Sequence, residues 1–185
     1  MRKLWTTLIG IEDSDMGHIL NSIFPDLYIK SVYELPLETL KSKGIRGLIF
    51  DIDNTIAPYD VAEPDEALVE LFTMLKKQGF RICILSNNNK KRVTLFNQKL
   101  KVLAIHKAGK PGIKKLRKAI SAMKLTELET AMVGDQVFTD MWCGHNAGLY
   151  CIMTAPICNR DQFVTKIKRG LERQVMKIYF KQLKQ

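Results

Sequence analysis

The sequence predicts one α/β domain in three layers, a five-stranded parallel sheet between two layers of helices. Three observations carry this. Short apolar runs rich in branched residues recur along the chain. Segments with helical apolar spacing alternate with them. Each run also stops abruptly at polar residues, as strands buried on both faces do. With 185 residues, 46% of them hydrophobic, the chain suffices for one core and leaves little for a second.

Residues 1–44 lack this rhythm and read as an N-terminal extension packed on the core. They hold a short strand near 28–32 and a helical turn at 37–43, closed by Gly44. Strand one is 45–50. A helix over about 64–78 follows, with Pro64 at its first position, Asp65 and Glu66 suited to the helix dipole, and Leu68, Leu71, Phe72 and Leu75 on one face. Lys76, Lys77 and Gly79 stop it. Strand two is 80–85, then a helix at 90–100, and strand three is 102–105. The next helix begins after Pro111, with Ile113, Leu116, Ile120 and Met123 on its inner face. Strand four is 130–133, a short helix covers about 139–147, and strand five is 149–153. The core is thus expected over 45–158, with a basic amphipathic helix in 159–185.

Composition narrows the function. No run of about 18 apolar residues exists to span a bilayer. The apolar part of residues 1–10 is too short for a secretory signal, so the expected location is cytoplasmic. Cys83, Cys143, Cys151 and Cys158 lack C-x-x-C spacing, and two lie in apolar strands. They read as reduced packing residues. Net charge is +10 but unevenly spread: residues 1–70 carry 13 acids and 6 bases, and residues 71–185 carry 6 acids and 23 bases. A half at +17 favours polyanionic partners, whether nucleic acid or anionic lipid.

The strand ends collect one kind of chemistry. Strand one ends in Asp51-Ile52-Asp53-Asn54-Thr55, strand two in Ser86-Asn87-Asn88. Strand three leads to Lys110-Pro111, and strand four ends in Gly134-Asp135 with Asp140 beyond. In a parallel sheet these ends face one crevice. Carboxylates so close raise one another's pKa unless a cation sits between them, and an all-oxygen site suits Mg²⁺. Metal, lysine and hydroxyl together suit a phosphoryl group, whose transfer needs positioning and charge neutralisation. No P-loop, dinucleotide fingerprint, nucleophile elbow or EF-hand loop competes, and His18, His106 and His145 share no ligand spacing. Cys143-Gly144-His145 reads as a packed helix end.

D-x-D-x-T, S-N, K-P and G-D-x-x-x-x-D, in this order, resemble the four motifs of the haloacid dehalogenase (HAD) superfamily. The resemblance implies a HAD-type, Rossmann-like sheet. It implies that Asp51 is the nucleophile that becomes phosphorylated and that Asp53 is the acid–base residue. Asn54, Thr55, Ser86, Asn87 and Lys110 would hold the phosphoryl group. Asp51, the main-chain carbonyl of Asp53, and Asp135 would bind Mg²⁺, with Asp140 supporting from behind. Neither the 53–80 gap nor the 88–110 gap has room for the cap domain that HAD enzymes usually insert there, so the site is expected to be open.

Phe24-Pro25-Asp26 to Tyr28, residues 40–44, residues 45–56 and Gly134-Asp135-Gln136-Val137-Phe138-Thr139-Asp140 narrow the match. They resemble the subclass IIIA phosphatases of the YqeG type, which are similar to mitochondrial phosphatidylglycerophosphate phosphatases. Three readings follow: a lipid-phosphate phosphatase at the inner membrane face, a phosphatase of soluble nucleotides or sugar phosphates, and a nucleic-acid or ribosome-associated protein. In 161–185, helical spacing puts Val164, Ile167, Leu171, Val175, Ile178 and Tyr179 on one face and most of the basic residues opposite. That face either packs on the domain or leaves Phe180 and Leu183 to rest on an anionic membrane.

Overall fold

The computed structural model describes residues 23–158 and 163–182, with side chains of the last helix described from Gly170. Its strands are β1 (Leu27–Ile29), β2 (Gly47–Phe50), β3 (Arg81–Leu85), β4 (Leu103–Ile105), β5 (Thr130–Gly134) and β6 (Tyr150–Thr154). Its helices are α1 (Leu37–Ser42), α2 (Glu66–Lys77), α3 (Lys90–Leu100), α4 (Lys114–Ala122), α5 (Trp142–Asn146) and α6 (Phe163–Gln182). The strands form one parallel sheet in the order β1-β6-β5-β2-β3-β4.

The sheet has six strands where the sequence pattern gave five. The added strand is the segment expected near 28–32, which is only three residues long and pairs with β6 across the whole domain. Asp26 makes that pairing specific. Its N–H donates to Cys151 O at 2.9 Å, and its carboxylate accepts from Cys151 N at 2.7 Å. Residues 1–22 of the expected extension, and 159–162 and 183–185 of the expected tail, lie outside the described residues.

Side chains alternate between two cores, as strands covered on both faces require. Leu48, Phe50, Ile82, Ile84 and Val133 pack against α1, α2 and α3 through Leu40, Phe72 and Phe96. Ile49, Cys83, Leu85 and Met132 pack against α4, α5 and α6 through Leu116, Cys143 and Tyr179. The sidedness follows the right-handed crossover rule. The chain steps outward from β2 to β3 to β4 with its helices on one face, then returns through β5 to β6 with its helices on the other. The reversal puts the carboxyl ends of β2 and β5 side by side at the switch point, where open α/β sheets bind ligands. Only a loop and α2 separate β2 from β3, and only α3 separates β3 from β4, so no cap domain interrupts either connection. The four cysteines are free thiols, three of them buried.

α6 packs on the domain largely by the face its spacing suggested, since Val175 and Tyr179 are buried and Ile178 packs against the core, but Leu171 is not part of that contact. Glu172, Val175, Met176 and Tyr179 are buried, whereas Leu171 is 47% exposed. These buried positions form an i, i+3, i+4, i+7 stripe that takes in Glu172 in place of Leu171. Its carboxylate accepts from Phe138 N at 3.3 Å, which ties α6 to the turn after β5. The Tyr179 ring lies 5.5 Å from that of Phe24, and the Phe180 ring meets Tyr28 edge-on at 5.0 Å. Among the described residues no helix is long and apolar enough to cross a membrane.

Tyr179→Ala should therefore destabilise the domain by about 3 kcal/mol in urea titration, as deletion of a buried aromatic does. Leu171→Ala should change stability by less than about 0.5 kcal/mol, the usual range for an exposed position. Equal effects would mean that the helix is seated on its other face.

Candidate active site

β2 runs out at Phe50, and the next residue, Asp51, is buried at the strand end with its N–H bonded to Val133 O at 3.0 Å. β5 ends beside it in Gly134 and Asp135, with Asp135 wholly buried. The chain then makes one wide π-helical turn, Val137–Met141, in place of the first turn of the helix expected from 139. That turn brings Asp140 back over the strand end, where its carboxylate accepts from Gln136 N at 3.1 Å. Gly134 makes room for it: a Cβ there would lie 2.3 Å from Asp140 Cβ. Carboxylate oxygens of Asp51, Asp135 and Asp140 consequently lie within 4.8 Å of one another, all buried.

Lys110 enters this group from the far side of the sheet. Its Nζ donates to Asp51 Oδ1 at 2.7 Å and to Asp140 Oδ1 at 2.6 Å, and its side chain is 2% exposed. Asn87 fixes the lysine's backbone, accepting from Lys110 N at 2.8 Å and donating to Lys110 O at 3.2 Å. Thr55 Oγ1 donates to Asp135 Oδ1 at 2.9 Å. Ser86 is buried, its hydroxyl accepting from Asn88 N at 3.1 Å. Asn54 takes a left-handed backbone, φ 64°, and its amide oxygen accepts the Cys158 thiol at 3.0 Å. The motif residues thus gather beyond the carboxyl ends of neighbouring strands, with Lys110 and Thr55 bonded directly to the acids. Among them Asn87 spends its amide on Lys110, and Asn54 receives Cys158.

Asp53 stands apart from the cluster. Its Oδ1 accepts from Arg92 Nη2 at 3.0 Å and Nε at 3.3 Å, and its Oδ2 accepts from Asn88 Nδ2 at 3.1 Å. Sequence reasoning placed Asn88 at the end of strand two without a role and did not single out Arg92. Arg92 follows Lys90 and Lys91 in a lysine-rich helix, and nothing in that run marks it as the one that turns inward.

The electrostatics set two environments. Burial raises the Asp51 carboxyl above the usual range. Lys110 opposes that shift, while Asp140 and Asp135 add to it. Burial alone would lower the Lys110 ammonium, but Asp140 and Asp51 overcome this and hold it above its usual value. Three buried acids against one ammonium leave an excess of negative charge at the strand ends.

A family model described as mitochondrial PGP phosphatase matches residues 18–158. The chain belongs to this family. It is a HAD-type phosphatase, similar to a probable phosphatase YqeG from Bacillus subtilis, with 34% identity over 152 residues, covering 82% of this chain and 88% of that one. It is also similar to an Arabidopsis thaliana phosphatidylglycerophosphate phosphatase 1, chloroplastic/mitochondrial, with 27% identity over 169 residues, covering 84% of this chain and 47% of that protein. The chain spans about half of the plant enzyme. A crystal structure of an uncharacterized protein from Listeria monocytogenes serotype 4b shares the fold, with a TM-score of 0.50 and 15% identity over 64% of this chain and 85% of that one.

Lys110→Met in the phosphatase leaves buried carboxylates without their cation, a change that costs about 3–5 kcal/mol. The sign with pH follows from the raised Asp51 carboxyl. A group with a raised folded pKa stabilises the fold at low pH and loses that contribution as pH rises through the folded value. Without Lys110 the rise is larger. The Asp51 carboxyl lies at about 8 with Lys110 present, so urea titration of metal-free protein should show a loss that grows as pH rises above 8 and is clearly smaller near pH 5. A pH-independent loss would mean that Lys110 acts by packing.

Proposed function

We infer that this phosphatase hydrolyses a phosphomonoester through a phosphorylated Asp51, with Mg²⁺ as cofactor. The observation that carries the reading is the buried set of Asp51, Asp135 and Asp140 around the Lys110 ammonium. An all-oxygen donor set with excess negative charge fits a small hard cation. Asp51 and Asp135 would hold it with the main-chain carbonyl of Asp53, and Asp140 would support from behind by fixing Lys110. Bound there, Mg²⁺ would neutralise charge on the phosphoryl oxygens.

Lys110, Ser86, Thr55 and Asn54 bind and orient the phosphoryl group, and Asn87 serves it by fixing the Lys110 backbone. The Asp51 carboxylate attacks phosphorus in line with the leaving oxygen. Asp53, at the mouth, protonates that oxygen and then takes a proton from the water that cleaves the acyl phosphate. Dividing one displacement into two through a carboxylate lowers each barrier. Asp53 suits the acid–base role because it sits outside the buried cluster and must change protonation within each cycle.

The substrate reading is phosphatidylglycerophosphate or a related lipid phosphate. Three things support it: the name of the plant relative, the absence of a cap domain from the β2–β3 and β3–β4 connections, and the +17 charge of residues 71–185. An open mouth suits a headgroup presented at a membrane surface, and basic residues favour an anionic one. Soluble nucleotides or sugar phosphates are the alternative, and one assay separates them.

Phosphate release across phosphatidylglycerophosphate vesicles, nucleotides and sugar phosphates should be fastest on the lipid and should stop on chelation. Asp51→Asn should abolish it, and Asp53→Asn should slow it about 10²–10⁴-fold, the usual worth of general acid–base catalysis. Wild-type turnover by Asp51→Asn, or full activity after exhaustive chelation, would refute the mechanism. A preference for sugar phosphates would refute the lipid assignment alone.

A further inference from the structure

Arg92 joins two parts of the mouth that the catalytic scheme leaves unconnected. Besides both of its bonds to Asp53, its guanidinium donates to Ala62 O at 3.2 Å, to Pro58 O at 3.4 Å and to Val61 O. One side chain on the first turn of α3 thus ties down the acid of the D-x-D-x-T loop and the connection that leads from it to α2. Its own position is held from both sides. Asn89 caps α3 by accepting from Arg92 N at 3.0 Å, and the guanidinium lies over the ring of Phe96, 5.0 Å from its centre. Phe96 is fully buried. The Arg92 side chain is 11% exposed and Asp53 22%, so this is not one of the solvated surface pairs that contribute little. A lysine could supply the charge, but not the planar fork that reaches a carboxylate and three carbonyls at once.

We propose that Arg92 is a positioning residue for proton transfer: it fixes the Asp53 carboxyl where the leaving oxygen departs. The proposal rests on Asp53 being the general acid. In that step the bond from Asp51 to phosphorus forms as the bond from phosphorus to the leaving oxygen breaks. The electron pair stays on that oxygen and takes the proton of Asp53. The carboxylate so formed remains beside the Arg92 guanidinium, ready to accept a proton from water in the second step. Arg92 touches neither phosphorus nor the leaving group. Its removal should therefore matter only where protonation matters.

A series of aryl phosphates with graded leaving groups reads this directly. Dinitrophenolate leaves without a proton, whereas phenolate and alkoxide need one. Arg92→Met should lower kcat/KM, which reports only the steps up to phosphorylation of Asp51, about 100-fold on phenyl and alkyl phosphates, the scale of a catalytic group displaced by about 1 Å, and less than about 3-fold on 2,4-dinitrophenyl phosphate. Arg92→Lys should fall between, and added guanidinium should restore part of the lost rate in Arg92→Met. In an Asp53→Asn background, Arg92→Met should cost almost nothing further, because the two act as one unit. An equal loss on every leaving group, or a full extra loss in the Asp53→Asn background, would make Arg92 a brace for the 58–62 connection and overturn the proposal. Should Arg92→Met fail to fold, Arg92→Lys taken through the same series decides the matter. Turnover of dinitrophenyl phosphate by Asp51→Asn would instead refute the covalent scheme, an outcome distinct from a leaving-group series without the expected slope.

Discussion

Three carboxylates buried around one ammonium are the constraint that the rest of this structure serves. Charges of one sign taken out of water are costly unless they are paired and bonded, and the fold meets that cost in several places at once. Lys110 reaches both Asp51 and Asp140, Thr55 donates to Asp135, and the Gln136 amide caps Asp140. Gly134 is small enough for Asp140 to lie over it, and the π-helical turn supplies the extra residue that brings Asp140 back. The reversal of strand order between β2 and β5 puts the acids side by side in the first place. An arrangement so expensive in the free protein is one that a small hard cation would relieve.

Much of this was legible in the sequence because strong local signals agreed with the global fold. Runs such as 45–50 and 130–133 are apolar throughout and end in acids, so they read as strands buried on both faces with chemistry at one end. Other features were not local. β1 has three residues, and its partner lies more than 120 positions away, so no pattern within it marks it as a sheet member. Glu172, a charged residue that nothing in the pattern marks as buried, lies inward and bonds the Phe138 amide, while the apolar Leu171 beside it faces outward. Arg92 is hidden for a similar reason: composition makes it one base among many, while its contact to Asp53 spans 39 positions.

The two carboxylates of the D-x-D pair show how environment divides roles between like groups. Asp51 lies in the buried charged cluster, its carboxyl raised by burial and steadied by Lys110. Asp53, two residues on, faces the mouth and is held by Arg92 of the first turn of α3 and by Asn88 from the loop before it. α6 adds a third link, since Glu172 bonds the amide at the start of the turn that carries Asp140. The helix that covers one face of the sheet is thereby continuous with the deepest part of the site.

The central claim is that Asp51 becomes covalently phosphorylated, and trapping that state tests it most directly. Acid quenching within one turnover, followed by proteolysis and mass spectrometry, should place a phosphoryl group on the peptide containing Asp51, removable by hydroxylamine as an acyl phosphate is. The label should be absent from Asp51→Asn and should accumulate in Asp53→Asn, in which hydrolysis lacks its base. Phosphate release in a burst-competent wild-type enzyme with no label on that peptide, or a label on another residue, would contradict the account.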